Sequence, residues 1–347
     1  MLCITPTRIV KKFLAALVSL IGIFPWVASA HENYVLTPDQ IAYGIKDQSY
    51  NVIDSLRTPG NLTIALTVSV GGIIFFLLYF FFDRSQAGKY LNQKLLSLEL
   101  FGQAVLRIAL GFSFIASAYT SSYLGPEISV FSLPFGGIIH YTLYVLGFFL
   151  VVGWYTEIVG VVGLATLLLA AFIYKDYMLT YFNYAGEFLA LIFFGSRAFS
   201  IDAKRRMKRD ISERYQNFEK AIIRITYGIS ILYPAISIKL LHPWIIIEIV
   251  NKYHLNSIHW LFPSDPLLIA LGTGLAQVVV GTCLVLGIFT RFNTLITFVL
   301  MVMSVLFFKE AVWPHYILLA LALYLMINNG GEFGLDRYIR KWRIGQS

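Results

Sequence analysis

Beyond residue 60 the chain alternates apolar runs of about 20 residues with short polar stretches. That run length is what the hydrocarbon core of a bilayer asks of a helix. The first run covers 61–82. A polar stretch carrying Arg84, Lys89 and Lys94 follows, and then runs at about 99–118, 134–154, 157–174 and 180–198. After a charged stretch, AKRRMKRDISERYQNFEK at 203–220, four more lie at about 220–241, 266–288, 291–308 and 313–329. The pattern predicts an all-α polytopic membrane protein with about nine transmembrane helices. Ahead of these, 31–60 is polar and mixed, with one amphipathic helix expected around 37–56. Residues 1–30 read as a signal peptide: Arg8, Lys11 and Lys12 precede an apolar run from Phe13 to Trp26 and a small-residue cleavage site at Ala28-Ser29-Ala30.

The apolar runs repeat. RIALGFS at 107–113 returns as RITYGIS at 224–230, and Gly147 and Gly153 return with the same spacing as Gly281 and Gly287. Ser200-Ile201-Asp202 closes the first series and Gly334-Leu335-Asp336 the second. An internal repeat is the first thing to look for in a sequence. This one predicts two parallel four-helix bundles, at 99–202 and 221–337, joined by the basic linker 203–220. The exported segment 31–60 and one extra span, 61–82, come before them, and a basic tail, 338–347, comes after.

Composition agrees: 58% of residues are hydrophobic and 13% charged, against about a quarter charged in soluble domains. The net charge of +8 does not point to nucleic acid. Threading the helices from an exported His31 puts sixteen Lys and Arg in cytoplasmic segments and six in exported ones, in agreement with the positive-inside rule. The expected location is the plasma (inner) membrane, with the mature N-terminus outside and the C-terminus cytoplasmic. Cys3 and Cys283 are the only cysteines; with Cys3 removed in the signal peptide, dithiol chemistry on this chain is excluded and a thiol step needs a partner protein.

Arg107 and Arg224 lie about two turns into their helices, roughly 10 Å deep at 1.5 Å per residue. An arginine there either snorkels or pairs. Retention of an Arg and an Asp in both copies favours structural ion pairs, Arg107 with Asp202 and Arg224 with Asp336. The copies differ elsewhere. Lys239 stands where the first copy has Ser122, and His315 begins the last helix of the second copy where Glu187 occupies the comparable place in the first. Ionisable residues within spans are functional candidates, so Lys239, His315 and Glu187 are the expected catalytic residues, with the second bundle favoured. The alternative is side chains anchored at headgroup level. His31, as a mature N-terminus, is the candidate metal ligand, through its amine and ring. There is no phosphate loop, no GxGxxG after a strand, no HExxH and no GxSxG, which leaves nucleotide-driven transport and the common hydrolases unsupported.

The second copy resembles the DoxX family of four-helix membrane proteins. It has Arg224 and Gly228 at its start, Lys239-Leu240 near the outer end, and Gly287, Thr290 and Arg291 at a hairpin. His315 opens its last helix, and Gly331 to Asp336 closes it. The first copy is similar but lacks the Lys and the hairpin Arg. The resemblance implies a component of a quinone-linked membrane redox system handling sulfur compounds or oxidative stress. A quinone or small-molecule site is then expected near Lys239 and His315, with electrons exchanged through quinone or a redox partner protein. A small-molecule transporter, or a scaffold holding an exported partner through 31–60, are the alternatives.

Overall fold

The computed structural model describes residues 36, 38–205, 213–255, 258, 262–307, 313–331 and 333–335. The expected signal peptide, His31, Asp336 and the basic tail lie outside the described residues. The described residues are helical apart from a two-stranded ribbon, turns and short connections, and the chain is a polytopic membrane protein by the length and apolarity of its helices.

Helix α1 (Pro38–Lys46) and a 3-10 turn at Val52–Arg57 replace the single amphipathic helix expected over 37–56. Asn51, whose side chain accepts from the Ile53 amide, starts the turn and breaks the continuity. Helix α2 (Asn61–Arg84) is the extra span, and α3 (Gln86–Leu96) is a short helix capped by Ser85. The first repeat contributes α4 (Glu99–Tyr119), α5 (Gly136–Val152), α6 (Thr156–Tyr174) and α7 (Phe182–Phe194). A ribbon, β1 (Ser122–Tyr123) with β2 (Gly125–Ser129), separates α4 from α5, and a 3-10 turn at Lys175–Tyr181 separates α6 from α7. A five-residue α8 (Ile201–Arg205) leads to the linker. The second repeat contributes α9 (Glu213–Pro234), continued by a π-helical stretch at Ala235–Leu240, then α10 (Pro243–Lys252), α11 (Pro266–Leu286), α12 (Thr290–Phe307) and α13 (Trp313–Asn328). Helix α10, the ribbon and the π stretch have no counterpart in the sequence reading.

Both repeats turn the same hairpin between their second and third helices. Gly153 (φ 69°) and Gly287 (φ 70°) end α5 and α11 in the left-handed region. Their amides donate to Leu150 and Leu284, and the next amides, of Trp154 and Ile288, reach back to Phe149 and Cys283. This is the Schellman ending, and a side chain at the left-handed position would be strained. The first two helices of each repeat touch backbone to backbone. A Cβ on Gly147 would sit 2.8 Å from the Gly111 carbonyl, and one on Gly281 3.0 Å from the Gly228 carbonyl. The glycine of each RIxxGxS segment therefore has the glycine of the facing helix as its partner, the close approach that small residues permit in membranes.

The repeats are not two self-contained bundles, as the sequence predicted. Helix α4 lies along α13, and α9 lies along α7, so the first helix of each repeat packs against the last helix of the other. A glycine sits in each of these crossings: Gly102 faces Ile327 and Asn328, and Gly186 faces Thr226. The eight helices close a ring, α4–α5–α6–α7–α9–α11–α12–α13 and back to α4, over one shared core from Phe101 to Ile327. A second, smaller core joins residues 36–57 to α10 and α11, with Tyr43 edge-on to Trp244 and Asn61 donating to Asp265 at 2.6 Å. The segment expected to hold an exported partner thus docks on its own chain. Helix α2 stands outside the ring and touches α12 through aromatic contacts, Phe76 with Phe289 and Tyr79 with Phe292, both at 4.9 Å between ring centres.

Candidate functional site: a polar cavity where the two repeats meet

The ends of the ring differ. At one end the arginines close the hairpins, and at the other lie the ribbon, the π stretch and α10. Arg107, buried in α4, donates through Nη1 to the Leu150 carbonyl (2.8 Å) and through Nη2 to that of Phe199 (2.8 Å). Arg224, fully buried in α9, does the same with Leu284 and with Phe333 (3.0 Å), and adds Nε to Gly330 at 3.1 Å. Leu150 and Leu284 are among the last carbonyls of α5 and α11. Those groups accept from the backbone only through the hairpin glycine amides, at 3.2 Å, and sit at the negative end of the helix dipole, so a guanidinium suits them.

The expected Arg107–Asp202 ion pair is not formed. Asp202 accepts from the Tyr155 and Thr156 amides (3.1 and 2.9 Å) and the Thr156 hydroxyl (2.9 Å), and its own amide donates to Gly153. The carboxylate goes to the positive start of α6 and the guanidinium to the negative end of α5. Each charge holds one side of the same turn. On the second repeat Arg224 repeats the pattern, while its expected partner Asp336 lies outside the described residues. Arg291 donates to Met326 (2.9 Å) and Ile327 (3.1 Å) and to the Asn92 side chain, tying α3 and α12 to the end of α13.

Beside Arg107, α4, α7, α9 and α13 surround a cavity of about 40 Å³. Its polar walls are Gln103 and Arg107 of α4, Glu187 of α7, Arg197 beyond α7, Glu219 of α9 and Tyr324 of α13. Glu219 is the best satisfied. It pairs with Arg197 and accepts from Gln103 (3.4 Å) and Tyr324 (3.3 Å). Next to it Lys220 pairs with Glu99 at 3.1 Å. Glu187 is held differently. Asn183 donates to its Oε1 (3.1 Å), while Oε2, like Oε1 of Gln103 and Nε of Arg107, has no hydrogen-bond partner among the described residues. A buried polar atom in this state takes up ordered water, and about 40 Å³ holds roughly three molecules.

The cavity brings together Glu187 and Arg107 of the residues singled out in the sequence, but not Lys239 or His315. Lys239 lies on the π stretch near Gly274, at the ribbon end. His315 is buried in the first turn of α13, nine residues before Tyr324 and roughly 13 Å away along the helix. The pairing of positions between repeats also changes. Counted back from Phe199 and Phe333, which accept from the two arginines, Glu187 corresponds to Leu321, and His315 to Tyr181. Ser122 and Lys239 keep the same distance from their arginines, but Ser122 is on the ribbon and Lys239 on a helix. Glu219 escaped notice because it falls in the charged linker. The signal was there: against Gly102-Gln103 of the first repeat stand Glu219-Lys220 of the second. Arg197 and Tyr324 carried none.

Among the described residues, no group of three or more His, Cys, Asp and Glu side chains is placed to hold a metal; His31 lies outside them. No curated protein and no solved structure matches the chain. Residues 220–310 match the family model described as DoxX, from within α9, just after Glu219, to just short of α13. Over these residues of its second half the chain carries a DoxX domain, the hallmark of a family of integral membrane proteins.

Proposed function

We propose that this protein is a proton-handling membrane component of a redox system of the DoxX kind, and that the cavity between its repeats is where the proton is held. One observation carries the reading: Glu187, 2% exposed, lines the cavity and has one carboxylate oxygen without a hydrogen-bond partner among the described residues. Burying an unpaired carboxylate costs several kcal/mol, and ionisable groups inside spans mark substrate paths and proton relays. In this reading Glu187 takes up and releases a proton through the cavity water, and the proton leaves towards the arginine end past the Arg197–Glu219 pair. The volume argues against an organic solute here, because a quinone ring is several times larger than the space available. The redox half of the proposal rests on the family resemblance. The duplicated organisation, with 99–202 as a diverged copy of the DoxX repeat, rests on the shared arginine and glycine geometry. The arginine end is cytoplasmic in this reading, on the distribution of basic residues.

Infrared difference spectra of the purified protein test it. Wild type minus Glu187→Gln should show a carboxylic-acid carbonyl band that shifts in deuterium oxide. A spectrum without that band sinks the proposal.

A second reading has its own observation. Lys239, expected as a ligand of quinone or another small molecule, lies on a π-helical stretch, a geometry common at functional sites. We propose it as the binding residue at the ribbon end, with His315 on the first turn of α13 as its proton relay.

A further inference from the structure

We propose that the first repeat, and not the second, contains a proton path that joins the ribbon end of the ring to the cavity, through Glu127, Tyr181, Tyr184 with Ser113, and Glu187. The proposal rests on the reading of Glu187 as the proton-exchanging group of the cavity.

The path begins at Glu127 on strand β2, partly open to the ribbon end, which accepts from Tyr177 (2.8 Å) and from Tyr181. Tyr181 and Tyr184 are buried one turn apart, with ring centres 6.2 Å apart. The Tyr184 hydroxyl meets the Ser113 hydroxyl of α4 at 2.6 Å. Glu187 follows Tyr184 by three residues on the same face of α7 and opens into the cavity. Beside the step from Tyr181 to Tyr184 lie two buried hydroxyls, Ser117 of α4 and Thr180, without partners among the described residues. Such hydroxyls call for ordered water, which suits a relay across that interval.

The comparison between repeats shows that packing alone does not demand these side chains. At the positions equivalent to Tyr184 and Glu187 the second repeat has Leu318 and Leu321. The same ring accepts leucine there, and in lipid leucine is the cheaper residue. The first repeat instead has a hydroxyl and a carboxyl, in line with a second carboxyl, Glu127, on the ribbon.

The transfer balances without a co-reactant. A proton bound by Glu127 passes to the Tyr181 oxygen as the Tyr181 hydroxyl hydrogen moves on. The same exchange at Tyr184 and Ser113, carried on by ordered water between them and the unpartnered Glu187 oxygen, delivers a proton to Glu187, which releases one to the cavity. Only O–H bonds form and break. The charged groups facing the route are Arg107 of α4, Arg197 and Glu219 at the cavity, and the Lys220–Glu99 pair beside it.

The test uses the full chain in vesicles carrying an internal pH dye, with a potassium diffusion potential set by valinomycin. Wild type should acidify the interior faster than protein-free vesicles. Glu127→Gln, Tyr184→Phe and Glu187→Leu should each return the rate to that of protein-free vesicles. Glu187→Leu copies a residue the second repeat already tolerates. Tyr227→Phe, whose hydroxyl bonds the Leu318 carbonyl away from the route, should keep the wild-type rate. Wild type no faster than empty vesicles, or wild-type rates in Tyr184→Phe and Glu127→Gln, overturns the path. If the Glu187 infrared band survives that result, the path falls while the cavity reading stands; if the band is missing too, both fall.

Discussion

Arg224 and Arg107 answer the same question with different completeness. Arg224 donates to four carbonyls, those of Leu284, Val285, Gly330 and Phe333, whereas Arg107 leaves its Nε without a partner among the described residues. A hydrogen bond to a charged group contributes about 1.5–3 kcal/mol, and an acceptor left dry costs a similar amount. Arg224→Met should therefore lower stability in detergent by about 3 kcal/mol, and Arg107→Met by about 2 kcal/mol. Thermal unfolding monitored by circular dichroism checks the order, and equal losses would contradict it. At this scale the sequence was half legible. It marked both arginines, because a repeat preserves side chains. It misassigned the partner of Arg107 because the acceptors are backbone carbonyls, which every residue owns and no residue type announces. Glu187 was legible as an ionisable residue inside a span, but its surroundings were not.

At the scale of elements the two repeats part after their first helix. Helix α4 ends at Tyr119 and turns into the ribbon, while α9 runs on through Pro234 into the π stretch. Pro234 stands where the first repeat has Ser117. Proline has no amide to donate to the carbonyl four residues back, and its ring crowds that turn. A local slip of register is one of the recognised ways to absorb this, and it sets the direction in which Lys239 points. Proline in a helical pattern is a readable signal, so this irregularity was within reach of the sequence. The ribbon was not, since five residues of mixed polarity could equally be a loop. If Lys239 holds a small molecule at the ribbon end, Lys239→Met and Pro234→Ala should weaken its binding alike, although Pro234 touches no ligand. Quenching of tryptophan fluorescence by a water-soluble quinone analogue measures this. Unaltered binding in Pro234→Ala would mean that the π stretch does not place the lysine.

At the scale of the whole molecule, the internal repeat predicted two separate four-helix bundles, whereas the structure packs the helices of both repeats into one ring. Periodicity reports which face of a helix is small or apolar, not which neighbour covers it. In a bilayer every neighbour, lipid included, is apolar, so close packing at small residues decides the partner. Here Gly102 and Gly186 favour the helix of the other repeat: α4 closes on α13 and α7 on α9. The cavity exists because of that exchange, for its walls come from both repeats. The ring has a consequence for assembly. A chain split within the 206–212 linker leaves each half with two unmatched contact faces, where two self-contained bundles would leave none. The halves, produced together, should co-purify through a tag on one of them, and each alone should be degraded. Gly186→Leu, which would drive a side chain into Thr226, should weaken that co-purification more than Gly160→Leu, whose contacts with Phe188 and Leu191 stay within one half. Halves that accumulate separately and fail to associate would show that the exchange of partners does not hold the ring together.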